Sequence, residues 1–205
     1  MKGETRVAMA FRAHSGWAVL VTLREPIAAP LVLQRRRLEI ADRRTVGSVQ
    51  PYHAAEKMKL AEAEAFLKER AESSGALARK AIEEAIAELM AKGCSVAGCC
   101  VLAASGRQNV DLAKTLASHA LIHTAEGDFF RNALRSACAS CGLTVSSVKE
   151  KEVVVQSADR LRIAVDALER RACELGKSVG PPWRQDEKLC AMAAWSLLAP
   201  VLASA

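Results

Sequence analysis

The order in which extended and helical segments follow one another constrains this fold more than any single motif. Three strand-forming runs come first, at residues 6–13, 16–23 and 31–40. In the second, Val19, Val21 and Leu23 fall on one face and Leu20 and Thr22 on the other, the period-two pattern of a strand. His14-Ser15-Gly16 is short enough for a tight hairpin, and residues 26–30 turn the chain into the third run. Arg35, Arg36 and Arg37 cannot all face a core, so this third strand is expected at an edge or with one wet face. From residue 54 to 92 the period becomes helical: Leu77/Ala78, Ala81/Ile82, Ala85/Ile86 and Leu89/Met90 form one apolar stripe. Ser73-Ser74-Gly75 predicts an interruption with Ser74 as the cap of a second piece, and Gly93 ends the helix. Residues 94–104 are continuously apolar, as in a strand buried on both faces. Helices over 109–123 and 125–141 lead to a short strand at 143–148, which a crossover connection makes parallel to its predecessor. A helix over 157–175 with Asp159 in its first turn, a loop over 176–182 and a helix over 184–199 complete the chain.

The bulk properties fit such an α/β chain. At 205 residues, 51% apolar and 25% charged, it supports one well-buried domain over 1–205 rather than disorder. Twenty-nine Lys and Arg against 23 Asp and Glu give a formal charge of +6, which favours an anionic partner without requiring one. The seven cysteines follow an N-terminus, MKGETRV, with no apolar signal core. They are expected to be reduced, mostly buried thiols of a cytoplasmic protein. The apolar tail after Leu189 is short and broken by Ser196 and Pro200, so no membrane span is expected. Neither a glycine-rich phosphate loop nor a GxSxG elbow is present.

The order βββ-α-β-α-β-α resembles the ribonuclease H-like superfamily, and within it the RuvC-type Holliday junction resolvases. Residues 123–131 (HTAEGDFFR) through 142–149 (GLTVSSVK) look like the resolvase helix and strand before the last catalytic region, and 186–195 (DEKLCAMAAW) looks like the final helix. The resemblance implies a bacterial protein with a five-stranded mixed sheet, three antiparallel strands then two parallel, flanked by helices. In that family, carboxylates from the first strand, the fourth strand and the last helix hold two magnesium ions, which stabilise attacking and leaving oxygens in phosphodiester cleavage. Here the first strand offers Arg12, Ala13 and His14, and the fourth ends in Ala103, Ala104 and Ser105. Only Asp186 or Glu187 matches its motif position, so the expectation is a domain with degenerate catalytic acids and no cofactor, or magnesium if active.

Several residues compete for functional roles. Asp186 is either a surviving metal ligand or a helix N-terminal charge. His119 and His123, one helical turn apart, can share a metal with Glu126 or Asp128 close by, or simply mark a polar helix end. Cys138 and Cys141 have CxxC spacing but sit at a helix C-terminus, where thiolates are disfavoured, so structural thiols are expected. Arg35, Arg36, Arg37, Arg43 and Arg44, with Arg131, Arg135 and Lys149, are either phosphate contacts or a solvated edge. His14 to Trp17 lines a pocket or is a plain hairpin, and Trp183 packs the last helix onto the sheet or walls a pocket. The leading expectation is a non-catalytic module binding nucleic acid through Arg35, Arg37, Arg131 and Lys149, or binding a protein partner. The rival is a divergent phosphodiesterase with Asp186 and Glu126 as catalytic groups and Asp186, Asp128 and His123 as metal ligands, using His14 or His123. A third is a structural protein that self-associates through a sheet edge.

Overall fold

The structure, a computed structural model, describes residues 4–104 and 111–200. Strands β1 (Thr5–His14) and β2 (Trp17–Arg24) form an antiparallel hairpin closed by the His14–Trp17 pair. Gly16 takes the left-handed conformation that the turn needs (φ 80°), and a Cβ there would lie 3.1 Å from that of Ala41. Strand β3 (Leu31–Glu39) adds antiparallel to β2. After α1 (Pro51–Ala55) and α2 (Leu60–Ala91), β4 (Cys94–Val101) runs parallel to β1 on its other side. Then come α3 (Leu112–Leu116), α4 (His119–Ser140), β5 (Val145–Ser146), α5 (Val153–Leu161), α6 (Val165–Leu175) and α7 (Gln185–Leu198). The result is a mixed five-stranded sheet, in the order β3-β2-β1-β4-β5, with helices on both faces.

Alternation along β1 sorts the two layers. Val7, Met9 and Phe11 face α2 and α4, where Ile82, Leu89, Phe130 and Leu134 complete a buried cluster. Ala8 and Ala10 face α7, which answers with Ala191, Ala193 and Ala194. Small residues on both surfaces let this helix lie close against the sheet. The alternation continues to the end of β1 and puts Arg12 and His14 on the α7 side.

Four local expectations change. Helix α2 is unbroken through residues 73–75, and Ser74 is buried, donating its hydroxyl to the Ile40 carbonyl (2.7 Å) instead of capping a helix. A serine in mid-helix here serves tertiary pairing. Helix α4 runs through residue 124 as one element, preceded by the short α3, whose Asp111 side chain accepts from the Lys114 N–H. Strand β5 is two residues long, extended by a bridge between Ala103 and Lys149. The expected helix over 157–175 is two helices, because Arg162 turns left-handed (φ 54°) and the Ile163 N–H closes onto the Ala158 carbonyl. Asp159 therefore sits in the last turn of α5. The expected end of the fourth strand at Ser105 and the helix start at 109 lie outside the described residues.

Trp183 packs over Gly176 at the end of α6, where a Cβ would come within 2.3 Å of the indole, and its N–H bonds the Ala172 carbonyl (2.8 Å). Cys94, Cys99, Cys100, Cys138 and Cys190 are buried free thiols, and Cys173 is exposed. A hydrogen bond with Cys99 and burial push the Cys138 thiol up, and burial does the same to Cys190. Among the described residues, no helix is long and apolar enough to cross a membrane.

Candidate functional site

The end of β1 and the first turn of α7 meet in a small charged cluster. The Arg12 guanidinium is shared between two carboxylates: one terminal nitrogen bonds Asp186 Oδ1 and the other bonds Glu150 Oε2 (2.7 Å). The remaining oxygen of Asp186 lies 2.8 Å from His14 Nε2. Glu150 reaches the cluster because its own N–H bonds the Ala103 carbonyl (2.9 Å), which carries β5's pairing one step past its short strand. Asp186 is held by the opening turn of α7, where Glu187 accepts from the Arg184 backbone N–H (2.8 Å). Burial works against the Arg12 charge, but the bonds and charges of Glu150 and Asp186 outweigh it and raise the pKa.

Beside this cluster, the His14 ring stacks on Trp17 (centroids 4.1 Å apart, planes 8° apart). Arg37, from the strand on the far side of Trp17, lies 3.7 Å over the indole and bonds Glu39 (2.6 Å). A cleft of about 440 Å³ opens next to Trp17, lined by Arg35, Arg36, Arg37 and Arg184 against Asp186 and Glu187. The guanidinium groups of Arg35, Arg37 and Arg184 against two carboxylates leave its wall net positive, while the Arg36 side chain turns to the other face of the sheet and pairs with Glu88 of α2.

No protein-family model matches the chain, and no curated protein matches its sequence. Among solved structures it is similar to Thermus thermophilus RuvC in complex with a Holliday junction substrate, with a TM-score of 0.52 and 10% identity over 93% of this chain and 91% of that one. A second Thermus thermophilus RuvC structure superposes with a TM-score of 0.50, again at 10% identity, over 93% and 92% of the two chains.

The chain has the RuvC, ribonuclease H-like fold.

In this RuvC-like frame the candidates from the sequence divide between the two sides of the sheet. Asp186, Arg35 and Arg37 share the α7-side cleft. Arg35 bonds the Pro182 carbonyl, and Arg36 pairs with Glu88. Lys149, paired with Glu152 at 3.4 Å, is the neighbour of Glu150. Glu126, Asp128, Arg131 and His123 belong to α4, across the sheet from α7. There Arg131 is buried (7% exposed) and both its Nε and a terminal nitrogen bond Asp128 (3.1 and 3.0 Å), so it braces α4 from within. Glu126 is buried too, and its Oε1 is 3.0 Å from both the backbone N and the ring Nδ1 of His53. Burial pushes the Glu126 carboxyl up, with the His53 hydrogen bonds pulling the other way. His119 and His123 touch through their Nε2 atoms at 3.0 Å.

Sequence reasoning missed Glu150 and His53. Nothing near Glu150 marks it, since its place depends on backbone pairing with Ala103. His53 lies on a five-residue helix far from His119 in the chain, and only the packing of α1 on α4 joins them. Arg12 did carry a signal: a cation at a position where the resemblance calls for an acid.

Proposed function

We propose that this chain is a non-catalytic RuvC-fold module that binds nucleic acid along the basic cleft between β3 and α7. The observation that carries this is Arg12, whose guanidinium lies between Asp186 and Glu150. Magnesium demands an octahedron of oxygen ligands, and a pair of such ions needs several free carboxylates. Here one Asp186 oxygen is bonded to Arg12 and the other to His14. Glu150 is tied to the same arginine. A fixed positive charge within hydrogen-bond reach of both acids opposes a divalent ion there, so this donor set does not suit the two-metal centre that the resemblance implies. Glu126, the other acid needed for a nuclease, sits on α4 across the sheet from Asp186, which speaks against their acting together.

The nucleic-acid part of the reading rests on the fold and on the clustered Arg35, Arg37 and Arg184. Because Trp17 is already stacked by His14 and covered by Arg37, the cleft suits phosphates better than unstacked bases. The test pairs two assays on four-way, forked and linear DNA and RNA. Cleavage with magnesium or manganese is expected to be absent, and binding is expected to fall steeply with salt. Arg35→Ala, Arg37→Ala and Arg184→Ala together should weaken binding uniformly across sequences and lower the salt slope by about one unit per lost phosphate contact. Metal-dependent cleavage abolished by Asp186→Asn would refute the non-catalytic reading. No binding to any of these substrates at low salt would refute the nucleic-acid one, and salt-independent self-association would then favour a protein partner.

A further inference from the structure

Three of the chain's four histidines converge at a place that neither the fold nor the Arg12 cluster accounts for. His119 and His123 project from successive turns at the start of α4, and His53 comes from α1 packed beside it. One ring nitrogen from each can be chosen so that all three lie within 4.8 Å of one another. The His119 and His123 Nε2 atoms are already 3.0 Å apart. The rings are not stacked: His53 meets His119 at 82° and His123 at 65°, and the latter two meet at 80°. Three steeply inclined rings that each bring one nitrogen into the same small space can act as ligands around a common centre.

Behind His53 stands a second feature. Glu126 is buried, its Oε1 is 3.0 Å from His53 Nδ1, and it also accepts from the His53 backbone N–H at 3.0 Å. A carboxylate held this way favours the tautomer with the proton on Nδ1 and leaves the Nε2 lone pair free. A buried acid orienting an imidazole towards two others is the outer support that zinc-binding histidines typically have.

We propose that His53, His119 and His123 form a three-imidazole site for Zn2+ or a similar borderline transition ion, with Glu126 as the orienting carboxylate and a fourth position open to solvent. Imidazole nitrogen suits zinc, cobalt and nickel, and is poorly suited to magnesium. In a tetrahedron with Zn–N bonds of about 2.05 Å, ligand nitrogens are about 3.3 Å apart. The pair on α4 is within about 0.3 Å of that already. The widest pair needs to close by at most about 1.5 Å (4.8 − 3.3), which rotation of the exposed His119 and His123 side chains supplies. Three protein ligands with an open fourth position is the pattern of sites that hold a water or an exogenous ligand. This site is independent of the nucleic-acid reading and stands on different residues.

The test is a titration of the chelator-stripped full chain with Co2+, followed by visible absorption, and with Zn2+, followed by calorimetry. Expected is saturable binding of one ion per chain, with the absorption of low-coordinate nitrogen-bound cobalt and no sulfur charge-transfer band. His119→Ala and His123→Ala should each weaken binding at least about 10-fold. Glu126→Gln should weaken it about 10- to 100-fold without changing the band shape. Cys173→Ser should have no effect. Equal melting of the His119→Ala variant and the parent in chelator shows that the loss is not one of folding. Absence of saturable binding in the micromolar range would overturn the proposal. So would one-to-one binding that survives a His53→Ala, His119→Ala double substitution, or a spectrum dominated by thiolate ligation.

Discussion

Removing the charge of Arg12 while keeping most of its volume, in Arg12→Met, tests the reading of the β1–α7 cluster most directly. The three side chains it links are 24% (Arg12), 29% (Glu150) and 22% (Asp186) exposed, so they lie between a surface pair and a buried one. Exposed pairs contribute about 0.2–1 kcal/mol, and breaking a fully buried pair costs about 3–5 kcal/mol because a charge is left without a partner. With two carboxylates losing a shared guanidinium at this depth, the expected loss is about 2–3 kcal/mol, a large part of which is their mutual repulsion. In a chain of this size that corresponds to a fall in Tm of roughly 4–12 °C. Arg12→Lys should recover less than half, since one ammonium cannot bond both acids in the fork geometry of a guanidinium. The assay is urea unfolding at neutral pH on Arg12→Met, Asp186→Asn and the double variant. The double variant should be more stable than the sum of the single losses predicts, with a coupling above about 1 kcal/mol. A loss under about 0.5 kcal/mol, or additive effects, would refute the idea that Arg12 neutralises these acids.

Further outcomes can be measured alongside. Replacing Gly176 with alanine drives a methyl group into the Trp183 indole and should cost about 1–3 kcal/mol in urea unfolding. Ser74→Ala leaves the Ile40 carbonyl without its buried donor and should cost about 1–3 kcal/mol by the same assay. Because Cys138 and Cys190 keep their protons in the folded state beyond the ordinary thiol value of 9.0, the unfolded chain releases them first as pH rises. Stability should therefore fall as pH climbs past about 9, and Cys190→Ala should flatten that fall in melts taken across alkaline pH. Thiol labelling of the native chain should mark Cys173 quickly and the buried thiols only on unfolding.

The layered architecture was legible because its signals are local and periodic. Alternation at Val19 to Leu23, the stripe from Leu77 to Met90 and the apolar run from Cys94 each require one kind of element. Errors arose where a tertiary contact overrode a local preference. Ser74 reads as a cap until the Ile40 carbonyl is found above it, and residues 157–175 read as one helix until Arg162 turns the chain back. The cluster at Asp186 was half legible: the last helix marks the aspartate, but its partners arrive from β1 and from beyond β5, along no sequence pattern. The histidine cluster was legible only as the pair on α4. Its third member depends on where a five-residue helix docks.

The indole of Trp17 gives the cleft a built-in optical reporter. Trp183 and Trp195 are tethered by their N–H groups to the carbonyls of Ala172 and Ile27. Trp17 instead lies between the His14 imidazole and the Arg37 guanidinium, and it lines the cleft together with Arg37. A polyanion drawing Arg37 away, or a proton added to His14, alters the electronic surroundings of this one fluorophore. Emission from a chain retaining only Trp17 would thus register occupancy of the groove without any attached label.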